Sequence, residues 1–121
     1  MNIETALKET MAIDGALGAA LVDYDSGMAL GTAGGGDLDM EVAAAGSTEV
    51  VRAKKRTLES LRISDSIEDV LITLDHQYHL IRLLAHGAGS RLFLYLVLDR
   101  ERANLALARH HLRRIEGELS V

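Results

Sequence analysis

Apolar residues recur at two different spacings along this chain, and the switches between them divide it into elements. Ile3, Leu7 and Met11 stand four residues apart, so the spacing predicts a first helix over about Asn2–Met11, with Asn2 able to cap its start. Gly15 then opens a run of small apolar residues, Ala16 to Val22, which meets the polar stretch Asp23-Tyr24-Asp25-Ser26-Gly27 and a second apolar run from Met28 to Leu30. Asp, Ser and Gly tolerate turn dihedrals, so this predicts a β-hairpin. Leu17, Ala19 and Leu21 would face one way and Ala16, Gly18, Ala20 and Val22 the other. Both sets are apolar, which predicts a central strand covered on both sides. Thr32-Ala33-Gly34-Gly35-Gly36 reads as a flexible connection.

A long second helix is expected from Asp37 or Asp39 to about Leu61. Acids (Asp39, Glu41) lie in its first turn and Arg52, Lys54, Lys55 and Arg56 toward its end, both of which suit the helix dipole. Its middle, Ala43-Ala44-Ala45-Gly46-Ser47, is unusually small, and Val50, Val51, Leu58 and Leu61 extend an apolar stripe. Ser66–Leu74 reads as a strand with Val70, Ile72 and Leu74 on one face. Asp75-His76-Gln77 is a tight turn, and Tyr78–Ala85 is the partner strand, with Ile81, Leu83 and Leu84 inside. After a turn at His86–Ser90, Arg91–Leu98 is apolar in both phases, as a strand buried on both faces would be. Asp99 is expected to cap a last helix carrying Leu105, Ala108, Leu112, Ile115 and Leu119, with Arg102, Arg109, Arg113 and Arg114 off that stripe. The predicted class is α/β (α+β). A single domain over residues 1–121 has the order α-β-β-α-β-β-β-α, with roughly five mostly antiparallel strands and helices on both faces.

Composition narrows the function. An apolar fraction of 48% supports a packed core, and a formal charge of −5 is a poor match to nucleic acid or an anionic membrane surface. Cysteine is absent, so disulfide and thiolate chemistry are excluded. No apolar run approaches the roughly 20 residues of a membrane span, and the amino terminus lacks a basic segment followed by an apolar one. A cytoplasmic protein is expected. Aromatic residues make up only 3%, too few for a base-stacking platform.

No motif carries catalytic chemistry. Asp23 and Asp25 could suggest an aspartyl-phosphate site, but a Gly follows where such motifs need other residues, and turn chemistry explains the acids. As a calcium loop the same stretch has Gly34 where a bidentate Glu is required. His76 and His79 flank a turn, while His110 and His111 are adjacent on a helix and diverge, so the histidines read as structural or solvated. The Gly34–Gly36 run lacks the Gly-Lys-Ser/Thr of a phosphate-binding loop, and Ser26 and Ser47 have no adjacent base. No cofactor or metal is expected. The basic run Arg52-Ala53-Lys54-Lys55-Arg56 is either a solvated helix end or a contact patch for an acidic partner.

The hairpin Gly15–Leu30, with its Gly-Ala strand, Asp-x-x-Gly turn and short second strand after a first helix, resembles the opening of the Roadblock/LC7 family. The predicted element order extends that resemblance over essentially the whole chain. The resemblance implies a dimer in which the second helix and third strand meet their counterparts. Ala43, Ala44, Ser47, Val50, Val51, Lys54 and Leu58 would then meet a second copy, together with Ile67, Val70 and Ile72 of the edge strand. It also implies a non-enzymatic regulator or adaptor of a Ras-like small GTPase, and the basic run then makes Arg52, Lys55 and Arg56 the residues expected to face that partner. The Ala/Arg/Gly-rich composition points to a bacterial setting. A structural dimerisation scaffold and a small-ligand sensory module are the alternatives. Purified protein is expected to release no more phosphate from GTP or ATP than a heat-killed control does; sustained turnover would overturn the non-enzymatic reading.

Overall fold

The computed structural model describes residues 1–85 and 91–121, so the turn expected at His86–Ser90 lies outside the described residues. In chain order the elements are α1 (Ile3–Met11), β1 (Ala16–Asp23), β2 (Met28–Gly34), α2 (Met40–Ser60), β3 (Asp69–Thr73), β4 (Gln77–Leu83), β5 (Leu92–Asp99) and α3 (Leu105–Glu118). The strands form one antiparallel sheet in the order β2-β1-β5-β4-β3. The α-β-β-α-β-β-β-α order read from the sequence is the order observed.

β5 is the spine. It pairs with β1 on one side and β4 on the other, with Leu21 opposite Leu94 and Ile81 opposite Tyr95. Leu92, Leu94, Leu96 and Leu98 enter one core, beneath α1 and α3, while Phe93, Tyr95 and Val97 enter a second core, beneath α2. Alternation within a continuous apolar run is what a strand sandwiched between two helical layers requires. The layers are unequal: among the described residues two helices cover one face and α2 alone covers the other.

Several boundaries differ from the sequence expectation for local reasons. The glycine-rich connection is strand as far as Gly34, because β1 offers a long buried ladder and pairs Gly18 with Gly34. Its glycines are there for close approach: a Cβ at Gly31 would lie 2.9 Å from Leu7 Cδ1, and one at Gly34 would lie 2.6 Å from Met11 Cε. The cap of α2 is Asp39, whose carboxylate accepts from Glu41 and Val42 N–H. Asp99 does not cap α3. It ends β5 and accepts from Glu101 N–H, and Asn104 caps α3 by accepting from Leu107 N–H at 3.0 Å. The buried stripe of α2 is Met40, Ala44, Thr48 and Val51, whereas Val50 and Leu61 are exposed. A helix lying on a sheet buries one i, i+4 row, and Val50 and Leu61 fall outside it.

Two ion pairs fasten α3 to the β3–β4 end of the sheet. Arg82 donates through Nε and Nη2 to Glu116, and Arg109 pairs with Asp69, which sits opposite Arg82 in the strand register. Because Arg82 and Glu116 are nearly buried, losing either partner would strand a charge in the interior.

α2 ends in a left-handed turn. Arg62 takes φ 57°, Arg62 N–H bonds Glu59 C=O, and Ile63 N–H reaches back to Leu58 C=O at 2.9 Å. This is the Schellman arrangement, in which glycine normally occupies the left-handed position. Arg62→Gly is expected to raise the unfolding free energy by about 0.5–1 kcal/mol, read from urea denaturation, because it removes the Cβ clash of that conformation. A loss of stability would show that the arginine side chain is needed there.

Candidate functional site

The face bearing α2 is the half-finished part of this fold. α2 lies over β1 and β2, and on the same face β4 and β3 present Val70, Ile72 and His79 with no helix above them among the described residues. His79 stands directly across from Ile72 and Val97. The result is a trough with one flank of α2 as its wall and the open half-sheet as its floor.

Ala43, Ser47, Val50 and Lys54 are spaced at i, i+4, i+7 and i+11, so they form one flank of α2. Ala43 lines a cavity of about 230 Å³ together with Leu38, Val42, His79, Tyr95 and Val97, which fixes that flank as the one beside the open floor. Val42 is 67% exposed, Val50 39% and Ile72 37%. Among the expected interface residues, Ala43, Ser47, Val50, Lys54, Val70 and Ile72 thus border one trough.

Two others do not. Ala44 and Val51 are fully buried in the core beneath α2. The expectation that they meet a second copy is corrected: the side chains point into this chain's own sheet, and the flank that borders the trough is one residue step away around the helix. Leu58 and Ile67 line a different cavity, at the carboxyl end of α2. Arg52, Lys55 and Arg56 lie at a recess on the far side of α2, with Tyr24 and Asp25 of the β1–β2 turn.

A chain of polar groups crosses the trough. Gln77 Oε1 lies 2.9 Å from His79 Nε2, and His79 Nδ1 lies 2.9 Å from Tyr95 Oη, with the two rings edge to face at 5.8 Å. Ser47 on α2 hydrogen-bonds Tyr95. Burial favours a neutral imidazole, and in the tautomer whose Nε2–H donates to Gln77 Oε1 the Nδ1 accepts the Tyr95 hydroxyl proton. Burial holds the His79 pKa below its ordinary value. Burial raises that of Tyr95, and the Ser47 bond partly offsets the rise. Nothing in this set is a nucleophile with its base, and among the described residues no group of three His, Asp or Glu side chains could hold a metal. Also among the described residues, no helix is long and apolar enough to cross a membrane. His79 read from the sequence as a structural or solvated histidine, and its partners were not legible, because Tyr95 and Ser47 join it only through the tertiary fold.

No protein-family model and no curated protein matches the sequence. Solved structures do match the fold. A Roadblock/LC7 domain from Streptomyces avermitilis superposes with a TM-score of 0.80 at 16% identity, covering 98% of this chain and 94% of that one. MglB of Myxococcus xanthus gives 0.80 at 17% identity, covering 96% and 92%. A structure described as MglB with tetrameric arrangement gives 0.79 at 18% identity, covering 95% and 82%. At such identities the likeness establishes the fold, and that fold is the Roadblock/LC7 one.

The neutral imidazole has a consequence for stability. His79 has a lower pKa folded than unfolded, so its contribution is intact above 6.5 and is lost as pH falls below that value. His79→Gln, which keeps a hydrogen-bonding side chain but cannot titrate, is expected to flatten that part of the stability–pH curve. Chemical denaturation at stepped pH reads it, and an equal slope in both proteins would exclude His79 as the source.

Proposed function

We propose that this Roadblock/LC7-fold protein is a single-domain homodimer that acts, without catalysis of its own, as a regulator or adaptor of a Ras-like small GTPase in the bacterial cytoplasm. The observation that carries the reading is the half-covered sheet face. A sheet needs a layer on each apolar face, and on this face the described residues supply one helix, α2, for five strands. A second copy turned about a two-fold axis would lay its own α2 against the open floor and receive the first copy's α2 in return.

The two sheet edges differ in a way that favours this arrangement. β2 carries a register shift where it pairs Leu21 and Val22, and it runs into the left-handed glycines Gly34, Gly35 and Gly36. Such irregularity discourages further pairing. β3 pairs with β4 without a shift and ends the sheet on the side of the trough. Pairing β3 with its copy would continue the sheet and close the apolar floor together.

The GTPase half of the reading is supported by the full-length likeness to MglB and by the resemblance to Roadblock/LC7 domains, members of which act with Ras-like GTPases. Arg52 and Arg56 project from a rigid helix and have no ion-pair partner among the described residues. Unneutralised cations steer an acidic surface and raise the association rate.

Light scattering should give twice the 13.1 kDa chain mass at micromolar concentration. Ile72→Lys should raise the dimer dissociation constant by about a hundredfold or more, because it buries an unpaired charge at the expected seam. A monomer at all concentrations, or a dimer indifferent to Ile72→Lys, would overturn the proposed interface. Val51→Glu is not a usable probe, since it strikes the core. For the partner, the Ras-like GTPases of the source genome, loaded with GDP or a GTP analogue, should bind the wild type and lose affinity to Arg52→Glu with Lys55→Glu. Unchanged binding and salt dependence would remove the basic run from the contact.

A further inference from the structure

At the carboxyl end of α2 two concavities adjoin. The recess of about 240 Å³ is walled by Arg52, Lys55, Arg56, Tyr24 and Asp25. The neighbouring cavity is larger, about 330 Å³, and its apolar wall is Leu58, Ile63, Ile67, Leu83 and Leu84, with Glu59 and Asp65 among its polar residues. Tyr24 and Lys55 belong to both, and Lys55 Nζ stands 5.3 Å from the Tyr24 ring centroid, so that pair is the divide between them.

The charges are sorted along this surface. Among the described residues, Arg52, Lys55 and Arg56 crowd one compartment with Asp25 as its acid, and Glu59 and Asp65 are the charged groups of the other beyond Lys55. None of these acids forms an ion pair with the cations among the described residues. The apolar compartment is also held open by backbone. Ile63 is pinned by its N–H bond to Leu58 C=O and by the left-handed Arg62 before it, yet it remains 42% exposed. The helix-ending turn thus seats a half-exposed isoleucine beside the cavity, on the same wall as Leu58.

We infer that the two concavities form one docking groove for a linear segment of a partner protein. The segment carries acidic side chains at one end, a bulky apolar side chain in the middle and a basic group at the other end. The acids lie over Arg52 and Arg56, the apolar group fills the space between Leu58, Ile63 and Ile67, and the basic end meets Glu59 and Asp65. The cavity volume suits one large side chain, and the sorted charge fixes the orientation of the segment. This rests on the reading of the basic run as a partner surface and adds to it the chemistry of what docks.

The test uses the intact protein, isotope-labelled, titrated with the peptide Ac-Glu-Glu-Gly-Phe-Gly-Lys-amide, with its reversed sequence, and with a control in which both Glu are Lys. One of the two acidic peptides should shift the backbone amides of residues 52–59 and 63–67, and the control should not. Arg52→Glu with Arg56→Glu should weaken binding about tenfold or more, and Ile63→Ser should weaken it by a similar factor. All three positions are exposed, so unchanged thermal midpoints confirm that folding is not at issue. No amide shifts with either acidic peptide, equal binding of the lysine control, or indifference to Ile63→Ser would each overturn the groove. A protein that binds a GTPase yet ignores the peptides keeps the proposed function and loses this inference. A protein that binds the peptides but no GTPase does the reverse.

Discussion

Burial of β5 on both faces is the constraint on which the rest of the structure depends. A strand whose alternate side chains are all apolar cannot sit at an edge or on a solvated face, so it requires a neighbour on each side and a helical layer above and below. β1 and β4 supply the neighbours, α1 and α3 one layer and α2 the other. The small residues of β1 and β2 follow from this. Gly31 and Gly34 leave no room for a Cβ because Leu7 and Met11 of α1 press onto the sheet there.

The unequal layering then sets up the site. α1 and α3 cover their face, with the Arg82–Glu116 and Arg109–Asp69 pairs holding α3 over β4 and β3. On the opposite face α2 lies over β1 and β2, and the floor beyond it ends in valines, an isoleucine and a histidine. A polar chain from Ser47 through Tyr95 and His79 to Gln77 crosses that floor. Half-buried hydrogen-bonded groups in an apolar seam cost little while satisfied and penalise any arrangement that leaves them unpaired. They therefore act on the specificity of whatever covers the trough as well as on its strength.

α2 gives its two flanks different chemistry. The flank beside the trough is uncharged apart from Lys54, with Ser47 its hydrogen-bonding group, and the far side is cationic at Arg52 and Arg56. A single rigid helix can in this way serve self-association with one side and a second partner with the other, and the two surfaces need not compete. The Schellman turn at Arg62 adds the third feature, an apolar compartment at the end of the same helix.

The sequence by itself determined the element order, the doubly buried character of β1 and β5 and the absence of any recognisable catalytic motif. Each of these is a statement about periodicity or residue type, which survive without coordinates. It also placed the small flank and the basic run on α2. It misjudged Thr32–Gly34 as loop, because the role of Gly34 depends on how closely α1 approaches. It assigned the cap of α3 to Asp99 rather than Asn104, since either acid or amide can cap and only the backbone path chooses. It grouped Val51 with Val50 and Ala44 with Ala43, though adjacent helical positions diverge by about 100° and only the seat of α2 on the sheet decides which is inside. The His79–Tyr95–Ser47 chain joins three elements, and the divided groove at the end of α2 joins its own neighbours across the fold. Long-range contacts of that kind exist only once β4, β5 and α2 are packed together, so the tertiary structure alone decided them.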